Sequence, residues 1–142
     1  RLQESFSEDP LLTATLGAAE VLGLQGDNGS GPGTKLPPHG IAALAKHFVA
    51  YGRAEGGVNG GIAEVSERTL RQIYLAPWAA LTAVGLRGVM PSHQPVFDQP
   101  AHGSKYLGQD LLRGELGFRG VSVSDCSDVG ALVDWQVAPD MA

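Results

Sequence analysis

The segment Asp110–Cys126 switches from one periodicity to another, and that switch limits the folds open to the chain. Leu111, Leu112 and Leu116 share one side of a helix, and Gly117 stands where a helix ends in a residue tolerant of positive φ. Val121 and Val123 then alternate with serines in the manner of a short strand, and Asp125 follows where the strand stops. A helix thus feeds a strand, and the strand delivers a carboxylate. In parallel α/β architectures the carboxyl ends of strands carry the chemistry, because the loops there converge on one crevice. Asp125 is therefore the first candidate for catalysis.

The same sequence of helix, strand and loop recurs upstream. Asp9 as N-cap and Pro10 at the first helical position open a helix over Leu11–Leu24, with Leu12, Leu16, Ala19 and Leu22 at helical spacing and a stop near Gln25-Gly26. The apolar run Ile41–Val49 reads as a buried strand with two ionisable residues, Lys46 and His47, at its exit. Ser66 caps a helix with Glu67 in the first turn, and Leu70, Ile73 and Tyr74 share a face. Pro77 removes a helical donor, so the pattern predicts a second helical piece restarting at Ala76-Pro77-Trp78 and ending at Gly85. Leu86–Met90 is the next strand, and Pro91–Pro95, containing His93, is its exit loop. Helices alternating with short strands predict an α/β fold with a parallel sheet.

Two glycine-rich loops interrupt this pattern. Asp27–Gly40 is a low-complexity Gly/Pro segment expected to be an exposed loop, and its glycines follow no strand and so make no phosphate cradle. Gly52–Gly61 follows the Lys46-His47 strand and suits a binding rim.

Composition narrows the function classes. The chain has 142 residues, suited to one domain, and a net charge of -5 with no basic stripe, which argues against a nucleic-acid partner. No apolar run reaches the roughly 18 residues a membrane span needs. Cys126 is the single cysteine, and the four histidines His39, His47, His93 and His102 follow no zinc spacing, so neither metal nor cofactor is expected. The chain opens at Arg1 without methionine, which leaves its compartment undecided.

Seven short stretches, taken in order, resemble one family: Arg1 with Glu4–Pro10, Lys46-His47-Phe48, Glu55-Gly56-Gly57, Ser66–Arg71, Val89–Ser92, Leu111–Arg113 with Glu115–Phe118, and Val123-Ser124-Asp125. Together they are similar to glycoside hydrolase family 3, the retaining β-glucosidases, β-xylosidases and exo-β-glucanases. The resemblance implies a partial (β/α)8 TIM barrel, with Asp125 as nucleophile. It also implies that Arg1, Lys46 and His47 hold hydroxyls of the sugar at the non-reducing end, with Met90 and His93 lining the same site. A secreted or periplasmic setting is compatible with it. Where His93 stands the family often carries tyrosine, and where Cys126 stands it often carries tryptophan.

A retaining glycosidase needs a second carboxyl group to protonate the leaving oxygen, about 5 Å from the nucleophile. Glu55, Glu64, Glu67, Asp98, Glu115 and Asp128 are available, but they read as caps or solvated faces, Asp128 as the cap of the next helix. The family usually takes its acid from later in the protein. The chain is therefore expected to be an internal fragment of the barrel domain, silent alone, with the rest of the barrel and a second domain as its partners and a β-linked oligosaccharide or glycoside as its ligand. Within the family, β-N-acetylhexosaminidases continue Lys-His-Phe with Pro-Gly-His-Gly. Here Val49-Ala50-Tyr51-Gly52 follows, which favours the glucosidase and xylosidase side. The contrasting reading is a non-catalytic carbohydrate-binding or scaffold remnant in which Asp125 only caps a strand end.

Overall fold

The computed structural model describes residues 4–26 and 35–140. Asp9 opens the first helix as expected: its Oδ1 accepts from the Leu11 and Leu12 amides at 2.7 and 3.2 Å, and helix α1 runs Pro10–Gln25. The face it buries is not the leucine stripe. Gly17, Val21 and Gln25 point inward, whereas Leu12 and Leu16 are 45% and 41% exposed. Gln25 ends the helix by donating to the Gly85 carbonyl and accepting from the Ala43 amide, which ties α1 to the start of the first strand.

That strand, β1, is Leu44–Phe48. It pairs in parallel with β2, Gly88–Pro91, which pairs in parallel with β5, Val121–Ser122, giving the sheet order β1–β2–β5. The ladder runs on beyond β5, with the Val123 amide donating to the Val89 carbonyl at 2.9 Å. Gly120 is obligatory at the start of β5, because a Cβ there would lie 2.1 Å from the Arg87 carbonyl oxygen. All three strands run the same way, so their exit loops gather at one end of the sheet.

Between β1 and β2 lies helix α2, made of an α turn (Glu67–Thr69), a π stretch (Leu70–Tyr74) and an α-helix (Leu75–Ala83). The expected break at Pro77 does not occur. The π turn just before the proline widens the ladder where its missing donor and its ring would otherwise disturb an α-helix, and the rod continues through it. Edge-to-face packing of Phe48 on Trp78, with ring centroids 5.0 Å apart, joins β1 to α2. Trp78 is 7% exposed and is a core residue.

The loop after β2 holds a small antiparallel hairpin, β3 (Pro95–Val96) and β4 (Gln99–Pro100), which the prolines conceal in the sequence. Helix α3, Tyr106–Glu115, has π geometry and buries Leu107, Leu111 and Leu112; Gly117 follows at φ 72°. Helix α4, Asp128–Asp134, closes the described chain. No helix among the described residues is long and apolar enough to cross a membrane. The sheet ends in open edges, with Leu44 on β1 41% exposed and Val121 on β5 65% exposed.

Candidate active site

Both ionisable residues of β1 reach the strand-exit end through a register slip. Lys46 pairs with Met90 and Phe48 with Pro91, so His47 is an extra residue bulged from the ladder. A bulge re-aims a side chain beside a site, and here Lys46 and His47 take separate partners. Lys46 Nζ lies 3.2 Å from Glu4 Oε2 rather than against Asp125. His47 takes that place, its Nε2 3.3 Å from Asp125 Oδ2 and its ring 4.2 Å from that of Tyr51. Met90 is half-buried on β2 beside Lys46. Arg1 lies outside the described residues.

Asp125 lies two residues beyond the last ladder bond at Val123, just before the turn at 126–127, and its side chain is 12% exposed. Burial opposes its ionisation, but the Cys126 thiol hydrogen bond, then the charges of His93 and His47, together hold its carboxyl below the usual carboxylate range. The same bond raises the Cys126 thiol, which therefore stays protonated as a donor. Burial, and then the neighbouring Lys46, depress His47 in spite of Asp125, so its imidazole is neutral near neutral pH.

Two residues that the sequence reading gave no role in the site, Asp128 read as a helix cap and His102 as one of four scattered histidines, complete it. Asp128, expected to cap α4, makes no side-chain cap bond; Ser127 holds the N-cap position. Its carboxylate turns inward and is buried, with Oδ1 2.7 Å from His93 Nδ1 and Oδ2 3.2 Å from His102 Nδ1. His102, from the turn after β4, accepts the Asp125 backbone amide at Nε2 over 3.1 Å. Its proton is therefore on Nδ1, where it serves the Ser92 carbonyl. Asp128 Oδ2 is left close to that N–H but without an aligned hydrogen bond. Burial dominates the depressed value of His102, which is neutral.

His93 stands in the middle, with Nε2 3.4 Å from Asp125 Oδ2 and Nδ1 against Asp128. A chain of contacts thus leaves the Asp125 carboxylate through His93, Asp128 and His102 and returns to the Asp125 amide. The sequence hint was a histidine at each end of the β3–β4 segment and an acid three residues beyond Asp125, none of which follows a known motif. Three of the four histidines converge here; His39 lies by Gly26 at the far end of α1. His93, Asp125 and Cys126 offer donor atoms within 4.8 Å of one another. The Asp125 carboxylate already faces His47, His93 and the Cys126 thiol, and we assign no metal to the cluster.

A groove of about 630 Å³ between α1, β1 and α2 opens at Lys46, His47 and Tyr51, and Asp125 does not line it. The remaining acids do not approach Asp125: Glu67 and Glu115 pair with Arg71 on the surface, and Glu55, Glu64 and Asp98 are exposed.

Parallel strands bring a carboxylate and three imidazoles to one exit end, the place where α/β folds gather functional side chains. Residues 1–142 match the model of the glycosyl hydrolase family 3 N-terminal domain, and the chain belongs to that family. A β-xylosidase of Formosa agariphila is 44% identical over 133 residues, covering 93% of this chain and 18% of that protein. A periplasmic β-glucosidase of Salmonella typhimurium is 32% identical, covering 99% and 18%. A β-glucosidase from Listeria innocua, solved in complex with glucose, superposes with a TM-score of 0.87 at 39% identity, over 99% of this chain and 19% of that one. The chain therefore spans about a fifth of the length of these relatives, and its open sheet is part of the family's TIM-barrel-like domain.

Proposed function

We propose that this chain carries the nucleophile of a retaining glycoside hydrolase that releases glucose or xylose from the non-reducing end of β-linked substrates. The observation that carries the reading is Asp125 itself: a nearly buried carboxylate, ionised by its neighbours, at the exit of a parallel strand. One Asp125 oxygen attacks the anomeric carbon. As the C1–O(Asp) bond forms, the C1–O(leaving group) bond breaks, and an acid protonates the departing oxygen. Water then adds at C1, giving up a proton to the same acid's conjugate base, and the ester bond to Asp125 breaks. Asp125 Oδ2 faces His47 and His93, which leaves Oδ1 as the oxygen without an imidazole partner.

Lys46, His47 and Arg1 hold hydroxyls of the sugar. An ammonium has three donors, so Lys46 keeps donors for a ligand beside its contact with Glu4. Met90 and His93 shape the wall on the β2 side. The acid comes from residues beyond this chain, together with the remaining strands of the barrel. This agrees with the absence of a second unpaired carboxylate near Asp125 among the described residues.

In the full-length protein carrying this chain, Asp125→Ala lowers kcat on an aryl β-glucoside or β-xyloside by about 10⁴-fold or more. Proton NMR shows the β-anomer as first product, and the 142-residue polypeptide alone shows no turnover. An Asp125→Ala enzyme within tenfold of the wild type, or an α-anomer as first product, refutes the reading.

A further inference from the structure

The ladder between β2 and β5 stops one rung short of Asp125. The Val121 amide donates to the Arg87 carbonyl at 2.8 Å, and the Val123 amide to the Val89 carbonyl at 2.9 Å. Bonds of a parallel pair recur evenly along the strands, so the next rung would join Asp125 to Pro91. The strands part there instead. The chain after Pro91 turns to β1, where the Ser92 amide donates to the Phe48 carbonyl at 2.7 Å, and the Asp125 amide donates to His102 Nε2 at 3.1 Å.

A backbone amide can only donate, so Nε2 accepts and the ring proton sits on Nδ1, from which it serves the Ser92 carbonyl. The imidazole thus stands as a side-chain rung between the exits of β2 and β5. Its side chain is 4% exposed, and Asp128 Oδ2 braces it 3.2 Å from Nδ1. The turn that carries it is held on both sides, the Gly103 amide donating to the Pro100 carbonyl at 3.0 Å and the Leu107 amide to Ser104 Oγ at 3.3 Å. The Asp125 carbonyl has donors of its own, the Asp128 amide and the Ser124 hydroxyl. The amide side of Asp125 rests on His102.

We propose that His102 is a positioning residue: its ring replaces the missing rung and fixes the main chain of Asp125 so that the carboxylate is aimed at the anomeric carbon. The inference rests on Asp125 being the nucleophile. Attack needs the reacting atoms about 3–3.5 Å apart and aligned, and a displacement of about 1 Å costs about 10²-fold in rate. The contact is with the backbone of Asp125, away from the groups that hold the sugar, so its loss slows attack and leaves sugar binding unchanged.

The test is trapping of the full-length protein by a 2,4-dinitrophenyl 2-deoxy-2-fluoro-β-glucoside. Its leaving group departs without a proton, so the rate reads attack without the separate acid. The maximal trapping rate, the fraction of chains labelled at completion and the inhibition constant of free glucose are measured together. His102→Asn keeps a donor near the Nδ1 position but does not reach the Asp125 amide, whereas His102→Gln carries an acceptor oxygen out to the Nε2 position. His102→Asn should be trapped about 10- to 100-fold more slowly and His102→Gln within about threefold of the wild type, with glucose inhibition unchanged in both. A substitution that merely weakened the fold would lower the labelled fraction and leave the rate of the labelled chains alone.

Equal rates in the two variants, a loss confined to the labelled fraction, or a slower His102→Asn whose glucose constant rises in proportion overturns the proposal. Should His102→Asn not fold, hydrogen exchange at the Asp125 amide of the wild-type protein decides: protection sustains the proposal, and exchange at the rate of an open peptide overturns it. Peptide mapping separates the two levels of failure. A label away from Asp125 refutes the nucleophile assignment, and a label on Asp125 at rates indifferent to His102 refutes only the role of His102.

Discussion

Replacing His47 by glutamine removes one of the two imidazoles that touch Asp125 Oδ2 while keeping a polar side chain of similar reach. The lost contact is short, 3.3 Å, and the two side chains are 7% and 12% exposed, so solvent replaces little of it. Withdrawing a polar partner from a charged group in such surroundings costs about 1.5–3 kcal/mol. At about 1.36 kcal/mol per tenfold in rate, kcat/KM in the full-length protein should fall by roughly 10- to 150-fold on an aryl β-glucoside. The Tyr51 ring, tilted against His47 with centroids 4.2 Å apart, loses that contact as well, so thermal unfolding is measured alongside. The expected result is a lowered kcat/KM with Tm changed by a few degrees at most. A kcat/KM within twofold of the wild type, in a protein of unchanged Tm, would refute the reasoning that His47 supports Asp125.

Three further outcomes follow from the same geometry. His47 and His102 both have folded values below the ordinary 6.5; folding therefore excludes protons that the unfolded chain binds. Their stabilising contribution is complete above about pH 6.5 and declines as pH falls through their folded values, and urea midpoints should drop on acidification less steeply in the double variant His47→Gln/His102→Gln. Asp9→Ala removes a cap that accepts two amides and should cost about 1 kcal/mol by denaturant unfolding, without altering KM. Gly120→Ala places a Cβ 2.1 Å from the Arg87 carbonyl, so it should destabilise by more than about 1–3 kcal/mol and lower soluble yield, whereas Gly23→Ala, with open space around it, should not.

Much of the framework is legible in the sequence because local rules and tertiary packing agree there. The Asp9-Pro10 start of α1, the Ser66 cap on α2, Gly117 at positive φ and the alternation of Val121 and Val123 are all decided by neighbours in the chain. The face of α1 is not, since the helix is apolar on most sides and the buried set is chosen by what α2 presents to it. Pro77 misleads because a π turn absorbs what an α-helix could not.

Within the site, Asp125 and His47 are legible from strand ends and from the family pattern. Asp128 is not: an acid at a helix start reads as a cap, and only the approach of His93 and His102 from the β2–β4 region turns it inward. The Lys46-His47 pair reads as two adjacent strand residues, and the bulge that parts them appears only in the pairing with Met90 and Pro91.

The central claim is that Asp125 forms a covalent bond to the sugar. Its most direct measurement is intact mass followed by peptide mapping of the full-length protein after reaction with a 2-deoxy-2-fluoro-β-glucoside. The account predicts one sugar adduct per chain, as an ester on the peptide containing Val123-Ser124-Asp125, and none in Asp125→Asn. An adduct on another carboxylate, with Asp125 unmodified, would contradict it.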